Sequence, residues 1–287
     1  MRIADLYAAN DGPVFSLEFF TPKSEAGRKA LFRAIGRLKA IEPGFASITC
    51  GAAGTTRERT ADLAIELQNE LGITTMAHLV CTGTTQAELD ETLRHMQANG
   101  IENILALRGD PPKGATDWAP VEGGFRHANE LAAFIRERFS LGLGGACYPE
   151  KHHEAASLEA DIEHLKLKVD AGVEFLITQL FFDNDKYWRF VEEIRAEGIA
   201  VPVVPGIMPV LSLTNLQRIA SLSPGTSIPS ELEDALRAAG DDDDASLAAG
   251  VRFAAKQCRE LLANGAPGIH FYTLNRSKAT LRTVAEL

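Results

Sequence analysis

The residues of this chain that could do chemistry stand at the ends of short apolar runs. The clearest example is the stretch 104–112, Ile-Leu-Ala-Leu-Arg-Gly-Asp-Pro-Pro, in which Arg108, Gly109 and Asp110 follow four apolar residues. Such a run is typical of a buried strand, and the two prolines end it. Because α/β folds bind ligands at the carboxyl ends of their strands, these charges predict a ligand site. For the tripeptide alone, a solvated turn with a surface ion pair is the alternative.

Polar residues follow most of the other apolar runs as well. The residues at or just past the predicted strand ends are Glu18, Thr49, His78, Arg108, Gly109, Asp110, Tyr148, His152, Gln179, Asn275 and Arg276. In a barrel of parallel strands the catalytic groups come from several strand ends at one face. The pattern therefore predicts one shared site.

Glu18 is the candidate general acid of this site. It lies between Leu17 and Phe19, and an apolar setting disfavours the charged form of a carboxyl group. We therefore expect a raised pKa, which suits proton donation. A buried structural ion pair is the alternative. The neighbouring strand offers His78, for which a core histidine is an equally good interpretation.

Other polar groups are interpreted less specifically. Gln179 suits the edge of an uncharged heterocycle, although a core hydrogen bond fits equally well. No metal site is predicted from the 152–154 sequence His-His-Glu, since adjacent histidines point in different directions in most backbones. For Asp161 and Lys168, on a predicted helix, a solvated face is the alternative. The acidic run 241–244 precedes a helix and predicts N-terminal capping.

Strands and helices alternate along the whole chain. Strands are predicted over 14–20, 45–49, 75–80, 104–107, 141–147, 175–179, 201–207 and 268–272, and helices over 24–41, 56–71, 85–99, 127–139, 157–171, 186–197, 213–222, 229–239 and 246–264, with a last helix closing the chain. Thr85 and Glu88 form a capping-box pattern. Eight alternations in this length predict an α/β fold, a single (β/α)8 TIM barrel over 1–287 with a helical insertion at 223–245. A glycine fingerprint for a dinucleotide fold is missing after the first strand.

The bulk composition excludes several classes of function. The chain has 287 residues, 45% of them hydrophobic, and a net charge of −10. Without a basic tract, such a protein is a poor candidate for binding nucleic acid or an anionic membrane. A signal peptide or an apolar run of membrane-spanning length is not visible in the sequence. Four widely spaced cysteines predict reduced thiols and a cytoplasmic location.

Taken together, the strand-end motifs resemble the methylenetetrahydrofolate reductase family, in its bacterial form with the catalytic barrel only. The motifs are Phe15-Ser16-Leu17-Glu18-Phe19-Phe20-Thr21-Pro22-Lys23, Ser47-Ile48-Thr49-Cys50-Gly51, Ala77-His78-Leu79, Leu107-Arg108-Gly109-Asp110, Tyr148-Pro149-Glu150-Lys151-His152, Ile177-Thr178-Gln179, Pro205-Gly206-Ile207-Met208-Pro209 and His270-Phe271-Tyr272-Thr273-Leu274-Asn275-Arg276. Each motif is weak alone, but their order covers the whole chain.

The resemblance implies reduction of 5,10-methylenetetrahydrofolate to 5-methyltetrahydrofolate by NADH or NADPH through bound FAD, in two alternating half-reactions. Glu18 would be the proton donor, Asp110 would lie between flavin and pterin, and Gln179 would orient folate and then nicotinamide. Arg276 would join these three in binding the substrate. The residues implied in FAD binding are Thr49, His78, Arg108, Gly109, Asp110, Tyr148, His152, Asp161 and Lys168. The resemblance also implies a homo-oligomer, and the sequence does not separate NADH from NADPH.

Four positions depart from the pattern of this family. Cys50 stands where Tyr is common, Cys147 where Ala is usual, and His164 and Leu167 where some members place Asn and Arg near FAD. These departures motivate a second hypothesis, in which the barrel is a flavin-free folate reductase or a folate-binding methyltransferase. A catalytically silent folate-binding subunit is a third, and the intact Glu18 counts against it.

Overall fold

A computed structural model describes residues 1–9, 11–51, 56–110 and 119–287. The two prolines of the stretch 104–112, Pro111 and Pro112, lie outside these ranges, as does the segment 52–54 that follows the second predicted strand. Within them, none of the helices combines the length and the apolar character that a membrane span requires.

A nearly closed barrel of parallel strands forms the centre of the molecule. The strands are β1 (Val14–Phe20), β2 (Phe45–Thr49), β3 (Thr75–Val80), β4 (Asn103–Leu107), β5 (Gly142–Cys147), β6 (Phe175–Thr178), β7 (Val203–Val204), β8 (Gly206–Ile207) and β9 (Gly268–Tyr272). Their order in the sheet is β7-β6-β5-β4-β3-β2-β1-β9-β8. The predicted (β/α)8 barrel is thereby confirmed.

The seventh predicted strand differs from the expectation, since it is two short strands separated by Pro205. β7 pairs with β6 and β8 pairs with β9, so the chain crosses the barrel seam at this proline. Proline has no N–H to donate, but its carbonyl accepts from the His270 N–H at 2.9 Å. At the next position a Cβ would lie 2.5 Å from the Thr178 carbonyl oxygen, so only glycine fits at Gly206.

The helices lie around the barrel in the expected alternation. They are α1 (Ile3–Ala9), α2 (Glu25–Leu38), α3 (Arg57–Leu71), α4 (Gln86–Ala98), α5 (Ala128–Arg138), α6 (Leu158–Asp170), α7 (Asn184–Ala196), α8 (Leu213–Leu222), α9 (Ser230–Ala239), α10 (Asp243–Ala263) and α11 (Lys278–Val284), and a 3-10 turn, Lys39–Ile41, extends α2. The predicted insertion contains α9, which packs through buried Leu232 and Leu236.

Side-chain caps fix where several helices begin. The Thr85 hydroxyl accepts from the Glu88 N–H while the Glu88 carboxylate accepts from the Thr85 N–H, which confirms the capping box. The Asp242 carboxylate accepts from the N–H groups of Asp244 and Ala245, both at 3.0 Å. The acidic run therefore caps α10 as predicted, although this helix begins at Asp243 rather than at residue 246.

The N-terminal helix α1 was not predicted from the sequence. Its Ile3 is fully buried among Phe45, Met76 and Phe175 in the barrel interior, and the Ile3 N–H donates to Asn103 Oδ1 at 2.8 Å. This apolar layer lies inside the barrel near the amino-terminal ends of the strands. Because side chains alternate along a strand, residues two positions further along β2 and β3 also point inward, above the layer.

Candidate active site

Three strands, β2, β3 and β9, bring polar side chains to one oxygen atom of Glu18, which is on β1. His78 Nε2 lies 3.3 Å from Glu18 Oε2, and His270 Nε2 lies 3.5 Å from the same oxygen. The Ser47 hydroxyl donates to this oxygen at 3.4 Å. The Glu18 side chain is 17% exposed, while His270 is fully buried. A carboxyl group between two imidazoles can take up or release a proton at this position.

The expected rise in the pKa of Glu18 is wrong for this structure. Burial does raise the pKa, as the sequence analysis argued, but hydrogen bonds and charge from His270 and His78 outweigh it and lower the pKa to about 2. The apolar neighbours in the sequence are not what surrounds the carboxyl group. Without a ligand, Glu18 is therefore an ionised carboxylate at neutral pH.

His270 and Ser47 were not among the predicted site residues. Both lie within motifs quoted from the sequence, but each sits two residues before its strand ends, whereas the site was sought at the ends themselves. The strand register could have identified both residues. Glu18 on β1 pairs with Ser47 on β2 and with Tyr272 on β9, so these two strands carry the residues nearest to it.

The cavity next to Glu18, which we name the acid pocket, has a volume of about 670 Å³. Its lining includes Glu18, Gln179, Tyr272 and Arg276, together with four side chains of α8, of which only Ile219 is apolar. The Tyr272 hydroxyl donates to the Thr178 carbonyl across the barrel mouth at 2.6 Å. Arg276 lies exposed at the rim, where a guanidinium can meet a carboxylate of a ligand.

A second cavity, which we name the basic cleft, has a volume of about 430 Å³ and lies between β4, β5, α5 and α6. Its lining includes Arg108, Tyr148, His152, Asp161 and Lys168. These five predicted cofactor-binding residues, which are far apart in the sequence, therefore share one surface. Its cationic groups suit a phosphate-bearing ligand.

Backbone geometry brings Arg108 to the cleft. The next residue, Gly109, has φ +84°, and a Cβ there would lie 3.0 Å from Val80. A side chain is therefore disfavoured both by the left-handed backbone and by the space. The Thr82 hydroxyl donates to the Arg108 carbonyl at 2.7 Å, and the guanidinium pairs with Glu154, which raises the pKa of Arg108.

Lys168 is the cation of the cleft without an anionic partner in the described ranges. Its Nζ donates to the Ala146 carbonyl at 2.7 Å, and the carboxylates of the described residues all lie beyond ion-pair distance from it. Burial lowers the pKa of Lys168. An ammonium group in this position gains from an anionic ligand, so the residues present fit the pyrophosphate of a dinucleotide.

A third, smaller cavity of about 130 Å³ lies between the other two, and we name it the central cavity. It is lined by Asp110, Tyr148, His152 and Gln179, among others. The Gln179 N–H donates to the Cys147 carbonyl at 2.7 Å, and Gln179 Oε1 accepts from the Leu180 N–H at 2.9 Å. These bonds hold the side chain at the junction of the cavities.

Three of the residues predicted to bind the cofactor, Thr49, His78 and Gly109, line neither the basic cleft nor the central cavity. His78 contacts Glu18 and is not in the lining of the basic cleft. Thr49 ends β2, and its carbonyl accepts from the hydroxyls of Thr21 and Thr60 at 3.2 Å and 3.1 Å. Their roles in binding the flavin stay predictions.

The departures from the family pattern fall in three places: the basic cleft, strand β5 and the residue after β2. His164 and Leu167 both line the basic cleft, and Leu167 is 51% exposed. Cys147 is buried in β5, and burial raises the pKa of its thiol, as it does at partly buried Cys50. All four cysteines are free.

Comparison with known proteins gives relatives over nearly the whole chain. A family model described as methylenetetrahydrofolate reductase matches residues 2–287. The chain is 40% identical over 284 residues to methylenetetrahydrofolate reductase (NADH) 1 of Arabidopsis thaliana, covering 95% of this chain and 48% of that one. It is 34% identical over 263 residues to 5,10-methylenetetrahydrofolate reductase of Escherichia coli (strain K12), covering 92% and 86%.

A solved structure of similar fold is an uncharacterised protein from Clostridium thermocellum that binds two copies of 5-methyl-5,6,7,8-tetrahydrofolic acid. It has a TM-score of 0.66 and 17% sequence identity, and the match covers 98% of this chain and 96% of that one. At this identity the likeness concerns the fold alone. The chain spans about half the length of the plant and yeast relatives that it matches. By the family model and these relatives, the chain belongs to the methylenetetrahydrofolate reductase family.

Proposed function

We propose that this protein reduces 5,10-methylenetetrahydrofolate to 5-methyltetrahydrofolate with NADH or NADPH, through bound FAD and in two alternating half-reactions. The observation that carries the proposal is the continuity of the three cavities. The basic cleft shares Tyr148 and His152 with the central cavity, and the central cavity shares Gln179 and Leu180 with the acid pocket. A long ligand on the basic side thus has a route to Glu18.

In this proposal the basic cleft holds FAD. Lys168 faces the pyrophosphate, while Arg108 exchanges its contact with Glu154 for one with the ligand. The rings of Tyr148 and His152 meet edge to face at 4.7 Å, and these two side chains would help to hold FAD. When bound, FAD supplies the acceptance and donation of hydride, and the protein supplies placement and electrostatics.

The acid pocket holds the folate and the nicotinamide in turn. Gln179 offers a neutral donor and acceptor for either ring system, because it lies where the central cavity and the acid pocket meet. Arg276 at the rim binds a carboxylate of the folate tail. Glu18 gives a proton to the ring nitrogen that leaves when the five-membered ring of the folate opens. Asp110, in the central cavity, hydrogen-bonds to the pterin.

The absorption spectrum of the purified protein tests this proposal. We expect a yellow protein whose flavin band bleaches under anaerobic conditions when NADH or NADPH is added. The band should then return on addition of 5,10-methylenetetrahydrofolate, with formation of 5-methyltetrahydrofolate. A protein that is colourless and inactive even with added FAD would contradict the proposal.

One observation favours a flavin-free function as a second candidate. Leu167 exposes an apolar side chain in the basic cleft, at a position where some members of the family have Arg. A folate reductase without flavin would oxidise the nicotinamide directly in the absence of FAD. A methyltransferase would move the methyl group to or from a corrinoid without consuming nicotinamide. The two assays separate these activities from the flavin-dependent one.

We also propose a homo-oligomer in the cytoplasm. Light scattering on the purified protein measures the number of subunits, and fractionation of the producing cells measures the location. A monomer at micromolar concentration would contradict the first proposal, and recovery outside the cytoplasmic fraction would contradict the second.

A further inference from the structure

The seven histidines of this chain fall into two groups according to their partners. Four of them lie at ion-pair distance from a carboxylate, namely His78, His95, His153 and His270. The three that have no carboxylate at this distance among the described residues are His127, His152 and His164. All three line the basic cleft, next to Lys168. An anionic ligand is the partner that this set of groups lacks.

The fold alone brings these three imidazoles to one surface. His127 directly precedes α5, His152 lies in the loop after β5, and His164 lies on α6. They line the same cavity of about 430 Å³. His127 and His164 are close enough for their charges to affect each other. A single ligand in the cleft can therefore meet both.

Other charged and titratable groups face the imidazoles from every side of the cleft. They are Arg108 after β4, Arg126 and Glu130 at the start of α5, Tyr148, His153 and Glu154 after β5, and Asp161 and Lys168 on α6. Three of these groups are carboxylates, and each accepts hydrogen bonds from groups other than the side chains of His127 and His164.

The bonds of the three carboxylates show how far their charge is already used. Glu130 accepts from two backbone N–H groups before α5, at 2.6 Å and 3.1 Å. Asp161 accepts from the His152 N–H at 2.8 Å, and Glu154 pairs with the guanidinium of Arg108. The protein thus leaves little negative charge for the imidazoles of the cleft.

The surroundings of His127 disfavour its charged form when no ligand is bound. Burial lowers the pKa of His127, and the positive charges of His164, Arg108 and Arg126 lower it as well, against the opposing charge of Glu130. The ordinary pKa of a histidine is already slightly below neutral. Free His127 is therefore mainly neutral at pH 7.

His152 differs from the other two imidazoles because it is held as a hydrogen-bond acceptor. Its Nδ1 accepts from the Glu154 N–H at 3.2 Å. A protonated Nδ1 cannot accept, so charging this ring would cost the bond. Burial also lowers the pKa of His152. This leaves His127 and His164 as the imidazoles that can carry an added proton.

A bound diphosphate changes the balance in the cleft. Its two negative charges favour the protonated form of a nearby imidazole, and a protonated imidazole donates charge-assisted hydrogen bonds to phosphate oxygens. Because the ordinary pKa of histidine lies near neutral, a modest gain is enough to charge the ring at pH 7.

From this arrangement we propose that His127 and His164 are further ligand-binding residues of the basic cleft, which take up a proton from water as the diphosphate of FAD binds. The proposal rests on the function proposed above. One N–H bond forms on an imidazole nitrogen, and the proton returns to water when the ligand leaves. The cleft is thus more cationic with FAD bound than without it.

The pH dependence of FAD binding tests the proposal. Since the complex holds a proton that the free protein lacks, the affinity is highest at low pH and falls as the pH rises through the pKa of the imidazole in the complex. We expect the dissociation constant to rise about tenfold between pH 6 and pH 8, as for a pKa about one unit higher in the complex. FAD has no group of its own that titrates in this interval. Fluorescence titration of the FAD-free protein measures the constant without turnover.

A double variant, His127→Asn with His164→Asn, removes both titratable groups. Both side chains are exposed, and Asn is a favourable residue before a helix, so the fold should be retained. We expect binding about tenfold weaker than wild type at pH 6 and within about twofold at pH 8. His95→Asn is the matched control, since His95 is an exposed histidine on α4 that faces Asp62. This control should keep the pH dependence of wild type.

Calorimetric titration in buffers of different ionisation enthalpy counts the protons directly. We expect wild type to take up roughly 0.5 to 1 proton per FAD at pH 7, and the double variant to take up almost none. Binding of FAD by wild type without proton uptake overturns this inference and leaves the proposed function standing. Full uptake in the double variant also overturns it, because Lys168 or His152 would then carry the proton.

A second ligand separates this inference from the proposed function. ADP-ribose carries the same diphosphate diester as FAD but lacks the flavin ring. If FAD does not bind to wild type at any pH, the proposed function fails, and the titration with ADP-ribose decides the role of the two histidines. Proton uptake with ADP-ribose that is lost in the double variant supports this role. Absence of binding, or binding without uptake, overturns it.

Discussion

The carboxyl group of Glu18 and the ammonium group of Lys168 are both withdrawn from water at the barrel mouth, and their surroundings differ. Burial acts against the charged form in each case. Around Glu18, two imidazoles reverse the effect, and the pKa falls to about 2. Around Lys168, the one protein hydrogen bond goes to a neutral carbonyl, and the pKa is lowered. The charged form of Glu18 is stabilised by neighbouring protein groups, whereas the charged form of Lys168 would be stabilised by an anionic ligand.

This difference follows from the elements that carry the two groups. Glu18 and its partners lie on adjacent strands whose register is set by the backbone, so their distances are fixed before any ligand arrives. The basic cleft is built by α5, α6 and the loop after β5, in which Arg108 has a carboxylate partner that it can exchange. The strands thus fix the positions of the candidate catalytic groups, whereas the side chains of the basic cleft can adjust to a ligand.

The largest effect is expected from Glu18→Gln, which removes the proposed proton donor. The folate half-reaction should fall about 10³-fold, within the range of general acid catalysis, while reduction of the flavin by nicotinamide is retained. Anaerobic stopped-flow measurement of each half-reaction checks this expectation. Exposed Glu91→Gln on α4 is the control. Survival of both half-reactions in Glu18→Gln would show that the acid assignment is wrong.

For the basic cleft, the corresponding change is Lys168→Met. Loss of a charge-assisted contact with pyrophosphate should weaken FAD binding roughly 10- to 100-fold. Titration of the FAD-free protein, followed by flavin fluorescence, measures the dissociation constant. The control is Lys166→Met, on the exposed side of α6. Equal losses in the two variants would mean that general charge, rather than the position of Lys168, attracts the ligand.

The pKa of Glu18 also predicts how stability depends on pH. A carboxyl whose pKa is lower in the folded state stabilises the fold above its unfolded value of 4.5, and this stabilisation is lost as the pH falls towards 2. The difference in unfolding free energy between wild type and Glu18→Gln should therefore shrink by roughly 2 kcal/mol between pH 6 and pH 3. Urea unfolding at several pH values measures it, and a constant difference would contradict the lowered pKa.

Asp110 lines the central cavity, between the basic cleft and the acid pocket. The variant Asp110→Asn tests whether its carboxylate affects both the flavin potential and the reduction of folate. A negative charge near the flavin opposes the negative charge of its reduced form, so its removal should raise the reduction potential. Folate reduction should slow about tenfold, which corresponds to ~1.4 kcal/mol of barrier. A redox titration measures the potential, with exposed Asp170→Asn as the control. An unchanged potential would remove the electrostatic argument for Asp110.

The smallest effect is expected from Leu167→Arg, which adds a cation to the basic cleft. A partly exposed pair with phosphate contributes about 0.2–1 kcal/mol, so FAD should bind about 1.4- to fivefold more tightly. The same fluorescence titration measures this change, and Leu167→Gln provides a side chain of similar length without charge. Tighter binding by both variants would point to polarity rather than to charge.

The sequence by itself determined the barrel and most of its boundaries. The alternation of strands and helices is visible as local hydrophobic periodicity, which can be recognised without knowledge of tertiary contacts. Capping signals at Thr85 and in the 241–244 run were correct for the same reason. The break at Pro205 and the helix α1 were missed, because barrel closure and the burial of Ile3 depend on distant strands.

For the candidate site too, some features could be predicted from the sequence and others depended on the tertiary structure. The resemblance to the family implied that Arg108, Tyr148, His152, Asp161 and Lys168 bind the cofactor, and the tertiary structure gathers these five residues in one cleft. Only the tertiary structure decided the ionisation of Glu18. Its neighbours in the chain are apolar, whereas its neighbours in space are His78 and His270, from two other strands. A pKa is set by charges and hydrogen bonds within a few ångströms, and sequence neighbours on a strand point to the opposite face.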